Sequence, residues 1–324
     1  MVAGSIQRNL DSGVRLPSDG VIQARISVLV LTHNRAVSLD RCLASLARQS
    51  EPPDELIVYV NGSVDHTVDH VRTHYPWVRL IEADRNFGAP GGKNRGIIAS
   101  RHEWVMCVDD DGTLPADAIA RARAAIRRHP DAAIIAGAVR DSFHPPPESL
   151  VEGPTFVFRG GICVIRRSIF LKQGGYHEDG LREGEEGELS FRLHDAGEYV
   201  YLCPDLVLDH HMEGARPPYR VVFRSSVRQA LLTSLRFVPI PALAPWLGWK
   251  LCSYIIAARR RDCLGALFLG IWDGLRLASV AWNERKPVQY RTLVASRWYL
   301  PPRENRWRAD RRETRLRAGE HETR

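Results

Sequence analysis

The sequence has no CxxC pair, and its six cysteines, Cys42, Cys107, Cys163, Cys203, Cys252 and Cys263, are scattered. Such spacing suits neither a zinc knuckle nor a disulfide framework, so a reducing, cytoplasmic setting is expected. The first 25 residues hold no long apolar core and no small-residue cleavage site, so no signal peptide is expected. Residues 237–258 are apolar, but Pro239, Pro241, Pro245 and Lys250 interrupt them, which is poor for a membrane-spanning helix. No recognised nucleic-acid-binding motif accompanies the basic residues, and no nucleic-acid partner is expected.

What is present is globular in character. The 324 residues are 44% hydrophobic and 26% charged, enough for one large α/β domain with an appendage or for two modest domains. The net charge of +7 is unevenly placed: residues 1–215 carry −7, residues 216–302 carry +11 and residues 303–324 carry +3. An acidic front and a basic back are expected to face different partners.

Residues 1–24 show no periodicity and read as a flexible tail. From Ile26 strands and helices alternate. Ile26 to Leu31 is an apolar, β-branched run suited to a strand buried on both faces. Ser38 can cap a helix with the stripe Leu39, Cys42, Leu43 and Leu46. Strands are expected at 56–60, 78–81, 104–108 and 132–139, with helices at 67–74, 90–101 and 115–128. This rhythm implies βαβ units and a mainly parallel sheet, in which ligands bind at the carboxyl ends of the strands.

The loops at those strand ends carry the unusual residues. Asp109-Asp110-Asp111 ends the fourth strand. Three carboxylates at the end of an apolar strand are costly unless a cation neutralises them, and their hard oxygens suit Mg²⁺ or Mn²⁺ together with a diphosphate; an acidic helix start before Pro115 is the alternative. Thr32-His33-Asn34-Arg35 follows the first strand and Asn61-Gly62-Ser63-Val64-Asp65 the second. Residues 86–96 bring glycines and Lys93 to a helix start, either a phosphate seat or an ordinary glycine-rich turn, but not a P-loop, since the GK[ST] ending is missing. Downstream, Gly160-Gly161 and Gly174-Gly175-Tyr176 precede an acidic run, Glu183 to Glu188, that opens a helix with the stripe Leu189, Leu193 and Ala196. Glu185 and Glu186 in its first turn either complement the helix dipole or supply a general base. His210, ending the segment from Pro204, is either a satisfied polar residue or a metal ligand.

In this order and spacing, the set resembles glycosyltransferase family 2 over about residues 26–212. The resemblance implies a GT-A fold: α/β, with a mainly parallel sheet and here a C-terminal helical extension. It implies an inverting transferase that uses a nucleotide-diphosphate sugar and Mg²⁺ or Mn²⁺. By position, Asp111 would bind the metal, Asp109 the metal or the donor ribose, and Asp110 would support them. His210 falls where several members place a further metal or diphosphate contact. Thr32, Asn34, Arg35, Asn61, Asp65 and Lys93 fall in the donor-binding segments. Glu186 falls at the base, where the family usually has Asp, after a Glu matched by Glu185; which of the two acts is open. One departure concerns the base of the nucleotide: Val60 stands where an Asp usually accepts its hydrogen bond. That leaves the donor open among thymidine, guanosine and uridine diphosphate sugars. A nucleotidyltransferase is disfavoured, because its glycine-rich first loop is missing after Leu31.

The expected organisation is a tail at 1–24, a catalytic domain at 25–215, a basic amphipathic helical region at 216–302 and a charged tail at 303–324. The third segment holds five tryptophans, Trp246, Trp249, Trp272, Trp282 and Trp298, and an apolar stripe of Leu264, Leu267, Phe268, Ile271, Leu275 and Trp282. Such stripes pack on the catalytic domain, on a second copy in a homodimer, or at an anionic membrane surface on its inner, cytoplasmic face, where a lipid-linked acceptor would be met. The functional alternative is a non-catalytic membrane-surface protein with a decayed transferase site.

Overall fold

The computed structural model describes residues 24–141, 146–178, 184–211 and 218–298. The expected tails at 1–24 (Ala24 apart) and 303–324, Glu183 of the acidic run and the Trp298 side chain lie outside the described residues.

Four parallel strands form the first half of the sheet: β1 (Ile26–Thr32), β2 (Glu55–Val60), β3 (Arg79–Glu82) and β4 (Trp104–Asp109). Helices α1 (Ala36–Ala47), α2 (Thr67–His74) and α3 (Gly88–Ala99) connect them. The apolar runs of β1, β2 and β4 are buried because helices cover both faces. The α1 stripe of Leu39, Cys42, Leu43 and Leu46 is buried as its spacing requires. Ser38 is not its cap: the helix begins at Ala36, and Arg35 holds the N-cap position without a side-chain cap bond.

The second half is mixed. After β5 (Gly112–Thr113) and α4 (Ala118–Arg128) come β6 (Ile134–Arg140), β7 (Gly153–Thr155), β8 (Ile162–Arg166), α5 (Arg167–Lys172), α6 (Glu185–Asp195) and β9 (Val200–His210). The main strand order is β3-β2-β1-β4-β8-β6-β9-β5, with β7 paired to β9. β8 runs antiparallel to both β4 and β6, while β6 and β9 are parallel. The parallel arrangement expected from the rhythm therefore holds from β3 to β4. Beyond β4 only β6 and β9 keep it, because β8 inserts in reverse. Cys107 and Cys163 face each other across the β4–β8 pair, and all six cysteines are free.

Five helices follow: α7 (Tyr219–Phe237), α8 (Ile240–Arg260), α9 (Leu264–Arg276), α10 (Ala278–Asn283) and α11 (Tyr290–Trp298). α8 runs unbroken through Pro245; Pro241 sits in the first turn, where a missing N–H costs nothing. Among the described residues no helix is long and apolar enough to cross a membrane. The helices dock on the front through Phe156 and Phe191, which pack with Phe237, Trp246, Val288 and Leu293. Beside this contact lies a buried ion pair. Glu188 on α6 meets Arg236 on α7 at 3.1 Å, with both side chains almost fully buried. Gln229 (2.8 Å), Thr233 (2.9 Å) and His177 (2.6 Å) complete the Glu188 carboxylate. Burial alone would raise this carboxyl, but the His177 hydrogen bond and the Arg236 charge hold it below its ordinary range.

Candidate active site

Because β1, β2 and β4 are parallel, with Leu31 opposite Asp109 and Thr32 opposite Val60, their carboxyl ends open on one edge of the sheet. Gly161 delivers β8 to the same edge, its carbonyl accepting from the Asp109 N–H at 3.0 Å. β9 ends there too: His210 pairs with Gly112, and the His211 N–H donates to the Asp111 carbonyl at 2.9 Å.

The three aspartates have different surroundings. Asp110 is buried, accepting from Thr32 Oγ1 at 2.7 Å and Arg35 Nη1 at 3.0 Å. Burial pushes its carboxyl up to about 6 in spite of the Arg35 charge. Asp111 holds Arg35 Nη1 on Oδ2 at 2.7 Å and His210 Nε2 on Oδ1 at 3.1 Å. Burial would raise it, but the His210 hydrogen bond and the two cationic partners keep it below the usual value. His210 also meets Asp141 at 3.1 Å through Nδ1, and hydrogen bonds to the two carboxylates raise the imidazole to about 10. Asp109 is the open member, its side chain 41% exposed, with Lys93 Nζ at 3.7 Å.

Lys93 and Glu186 form the second part. Lys93 lies in the second turn of α3, because that helix starts at Gly88 rather than at 90. It is therefore not at the helix N-terminus, where a phosphate seat was expected. Its buried ammonium donates to the Gly160 carbonyl at 3.0 Å. Burial would lower its pKa, but the charges of Asp109 and Glu186 raise it, so it stays charged. Glu186 Oε1 accepts from the Gly160 N–H at 3.2 Å. Burial, and then the neighbouring Glu185 charge, push the Glu186 carboxyl up to about 7. Gly160 and Gly161 let these side chains close in: a Cβ on Gly160 would displace Glu186 Oε1 and lie 2.7 Å from Lys93 Nζ, and one on Gly161 would lie 2.6 Å from Asp109 Oδ2. Of the two candidate bases, Glu186 is the one beside Lys93 and Gly160, whereas Glu185 is buried.

The remaining candidates hold the loops. The buried Asn61 amide donates to Asn86 Oδ1 and the Gly88 carbonyl, both at 3.0 Å, and accepts from the Phe87 N–H. Asn34, at φ 54°, donates its N–H to Ser63 and accepts from the Val64 N–H, clasping the first two loops together. Asp65 is exposed and accepts from Thr67 at the start of α2. Val60 is buried at the end of β2, where its side chain accepts no hydrogen bond.

Two groups at the site were not singled out in the sequence. Asp141 directly follows β6, and the strand-end logic applied to Asp109 would have found it. Arg159 is exposed beside Gly160, with Asp141 and Glu186 as the carboxylates nearest in charge.

Asp109 and Asp111 offer carboxylate oxygens that suit Mg²⁺ or Mn²⁺, and His210 would join them as an imidazole only on giving up the proton that its two carboxylates hold on it. Among the described residues no three such side chains are close enough to hold an ion as they stand. In this conformation Arg35 and His210 supply the positive charge at Asp111.

Residues 27–178 match the model of glycosyl transferase family 2. The chain is 32% identical over 153 residues to a PGL/p-HBAD biosynthesis glycosyltransferase of Mycobacterium bovis, covering 46% of this chain and 59% of that relative. The matched segment thus spans less than two thirds of the relative. It is 25% identical over 232 residues to an N-acetylglucosaminyl-diphospho-decaprenol L-rhamnosyltransferase of Mycobacterium tuberculosis, covering 57% and 76%. In fold it is similar to a mannosyltransferase of Pyrobaculum calidifontis solved with GDP-Man and Mn²⁺, with a TM-score of 0.55 at 18% identity over 92% and 93% of the two chains.

Proposed function

From the match of residues 27–178 to the model of glycosyl transferase family 2, we propose that the chain is a member of that family and an inverting, divalent-metal-dependent glycosyltransferase acting on a lipid-linked acceptor. The observation that carries this reading is the meeting of Glu186, Lys93 and Asp109 over Gly160 and Gly161 at the carboxyl edge of the sheet. A carboxyl near pH 7 in its affinity for protons is matched to general-base work at neutral pH.

Glu186 takes the proton of the acceptor hydroxyl as that oxygen forms its bond to the anomeric carbon of the donor. The bond from that carbon to the diphosphate oxygen breaks, and its electron pair leaves with the nucleoside diphosphate. One displacement without a covalent enzyme intermediate inverts the sugar. Lys93 keeps Glu186 oriented, and Arg159 stands exposed where it can meet diphosphate charge. Arg35 and Thr32 hold Asp110, which fixes its neighbours Asp109 and Asp111. Asp109, Asp111 and His210 would hold Mg²⁺ or Mn²⁺, which when bound neutralises charge on the leaving diphosphate. The GDP-Man and Mn²⁺ of the Pyrobaculum enzyme support a nucleoside-diphosphate sugar and a divalent ion.

The rhamnosyltransferase relative, named for its diphospho-decaprenol substrate, supports the lipid-linked acceptor. The basic helices from 218 to 298 support an anionic membrane surface as the place where it is met, since Trp249, Trp272 and Trp282 are exposed there. The decayed-site alternative is not favoured, because Asp109, Lys93 and Glu186 are assembled. The test is hydrolysis and transfer across a panel of UDP, GDP and dTDP sugars, with Mn²⁺ or with EDTA, reading product anomeric configuration by NMR. A product of retained configuration overturns inversion, and equal rates in EDTA overturn the metal.

A further inference from the structure

Helices α7 and α9 approach closely because Gly270 and Gly274 offer no side chains at the contact. A Cβ on Gly270 would lie 2.6 Å from the Arg224 carbonyl oxygen, and one on Gly274 2.7 Å from Leu231 Cδ2. Beside this contact lies an open pocket of about 460 Å³, lined by Arg224, Arg228, Asp273, Arg276 and Leu277. Three guanidiniums there face a single carboxylate. Arg224 grips Asp273 with two bonds, at 2.5 and 2.9 Å. Arg228, one turn further along α7, has Nε and Nη2 shielded from water with no hydrogen-bond partner among the described residues. With Arg224, Arg228 and Arg276 all lining it, the pocket suits a ligand with acceptor oxygens. Two positive charges also remain after Asp273 is counted. Planar forks of this kind fit the oxygens of a phosphate.

The surroundings narrow the source of that phosphate. On the pocket-bearing face of α9, Leu269 and Trp272 lie one turn before Asp273 and Arg276, and they are 48% and 60% exposed. Phe268 and Leu275 beside them are exposed as well. A free phosphate has no use for an apolar, tryptophan-bearing rim, whereas a lipid headgroup brings both chemistries together. We propose that the α7–α9 pocket binds the phosphate of an anionic lipid headgroup and seats the exposed face of α9 in the lipid interface. This deepens the membrane-surface part of the proposed function and is independent of sugar transfer.

The experiment is co-sedimentation of the full chain with phosphatidylcholine vesicles, with and without phosphatidylglycerol, alongside calorimetry with inorganic pyrophosphate. The parent protein should pellet on the anionic vesicles. R228Q and R276Q should each weaken that binding about tenfold, as loss of a charged hydrogen bond implies. R228K, which keeps the charge but loses the fork, should recover only part of it. R259Q, an equal charge change at an exposed residue of α8 outside the pocket, should change it little. Arg276 is exposed, so its variant tests the site without threatening the fold. No pelleting on either vesicle overturns the proposal. So does a loss in R259Q equal to that in R228Q and R276Q, which would mean diffuse attraction. Pyrophosphate binding as tight as vesicle binding would replace the lipid by a soluble phosphate ligand.

Discussion

Between Ala24 and His211 the described residues expose five large apolar side chains, while between Tyr219 and Val294 they expose fifteen. The front keeps the reverse inventory inside: Lys93, Asp110, Asp111, Glu185 and Glu188 are all buried. A sheet covered by helices on both faces absorbs apolar residues completely, and it can hold charged groups only where strand ends bring opposite charges within reach. The back is a layer of helices whose inner side is satisfied by the front and whose outer side is not. The two regions meet at Glu188 and Arg236, a charged contact with both partners out of water.

The comparison breaks first at that seam. Arg236→Ala leaves Glu188 charged and buried without its partner, which should cost about 3–5 kcal/mol. Thermal melting should show it, and E188Q/R236M should recover most of the loss; a melting point unchanged in R236A would mean that the regions are not joined there. The next effect belongs to the front alone. E186Q should lower turnover by about a hundredfold or more while donor binding, read by calorimetry, persists. If E185Q is the crippling change instead, the base lies one residue earlier. The third concerns Asp111. In the parent protein donor affinity should fall at least about tenfold when Mn²⁺ is removed, and in D111N it should no longer respond to the ion; equal affinities with and without Mn²⁺ in the parent would sink the metal role.

The smallest effects are in pH. Glu186 acts as base in its ionised form, so turnover should rise as pH increases through about 7 and level off above it. The stability sign is opposite. The folded value lies above the ordinary 4.5, so the unfolded chain gives up this proton first. Stability from this group is fully present below about pH 4.5 and is lost as pH rises towards 7. Melting of the parent against E186Q across that window checks the sign, since the glutamine does not titrate.

Much of the front was legible because burial on both faces leaves a direct mark in sequence. Val28 and Val30, or Val105 and Met106, read as strand residues whatever surrounds them, and helix α2 lies at Thr67–His74 as its pattern required. The rule that ligands gather at carboxyl ends of parallel strands then picked out Thr32, Asp109 and Asp111 without any knowledge of their contacts. The same reasoning could not place Lys93, because one turn of helix decides whether an ammonium points to a phosphate or to Asp109 and Gly160. Nor could it choose between Glu185 and Glu186, which differ by about 100° around a helix whose phase is set by packing on Gln229 and Thr233.

The back shows the limit most clearly. Composition alone determined that it is basic, rich in tryptophan and helical, and that its prolines make a spanning segment poor. It did not determine which side faces inward. Of the stripe Leu264, Leu267, Phe268, Ile271, Leu275 and Trp282, Leu267 is buried and Ile271 packs beside it, whereas the other four are exposed and Gly270 and Gly274 face the neighbouring helix. Apolar residues lie on more than one face of α9, so close approach of backbones at the two glycines helps to decide its rotation. Arg236 and Glu188 stand 48 residues apart with no local pattern linking them. Local periodicity encodes what a segment buries, whereas a pair of charges brought together by docking exists only once both elements are in place.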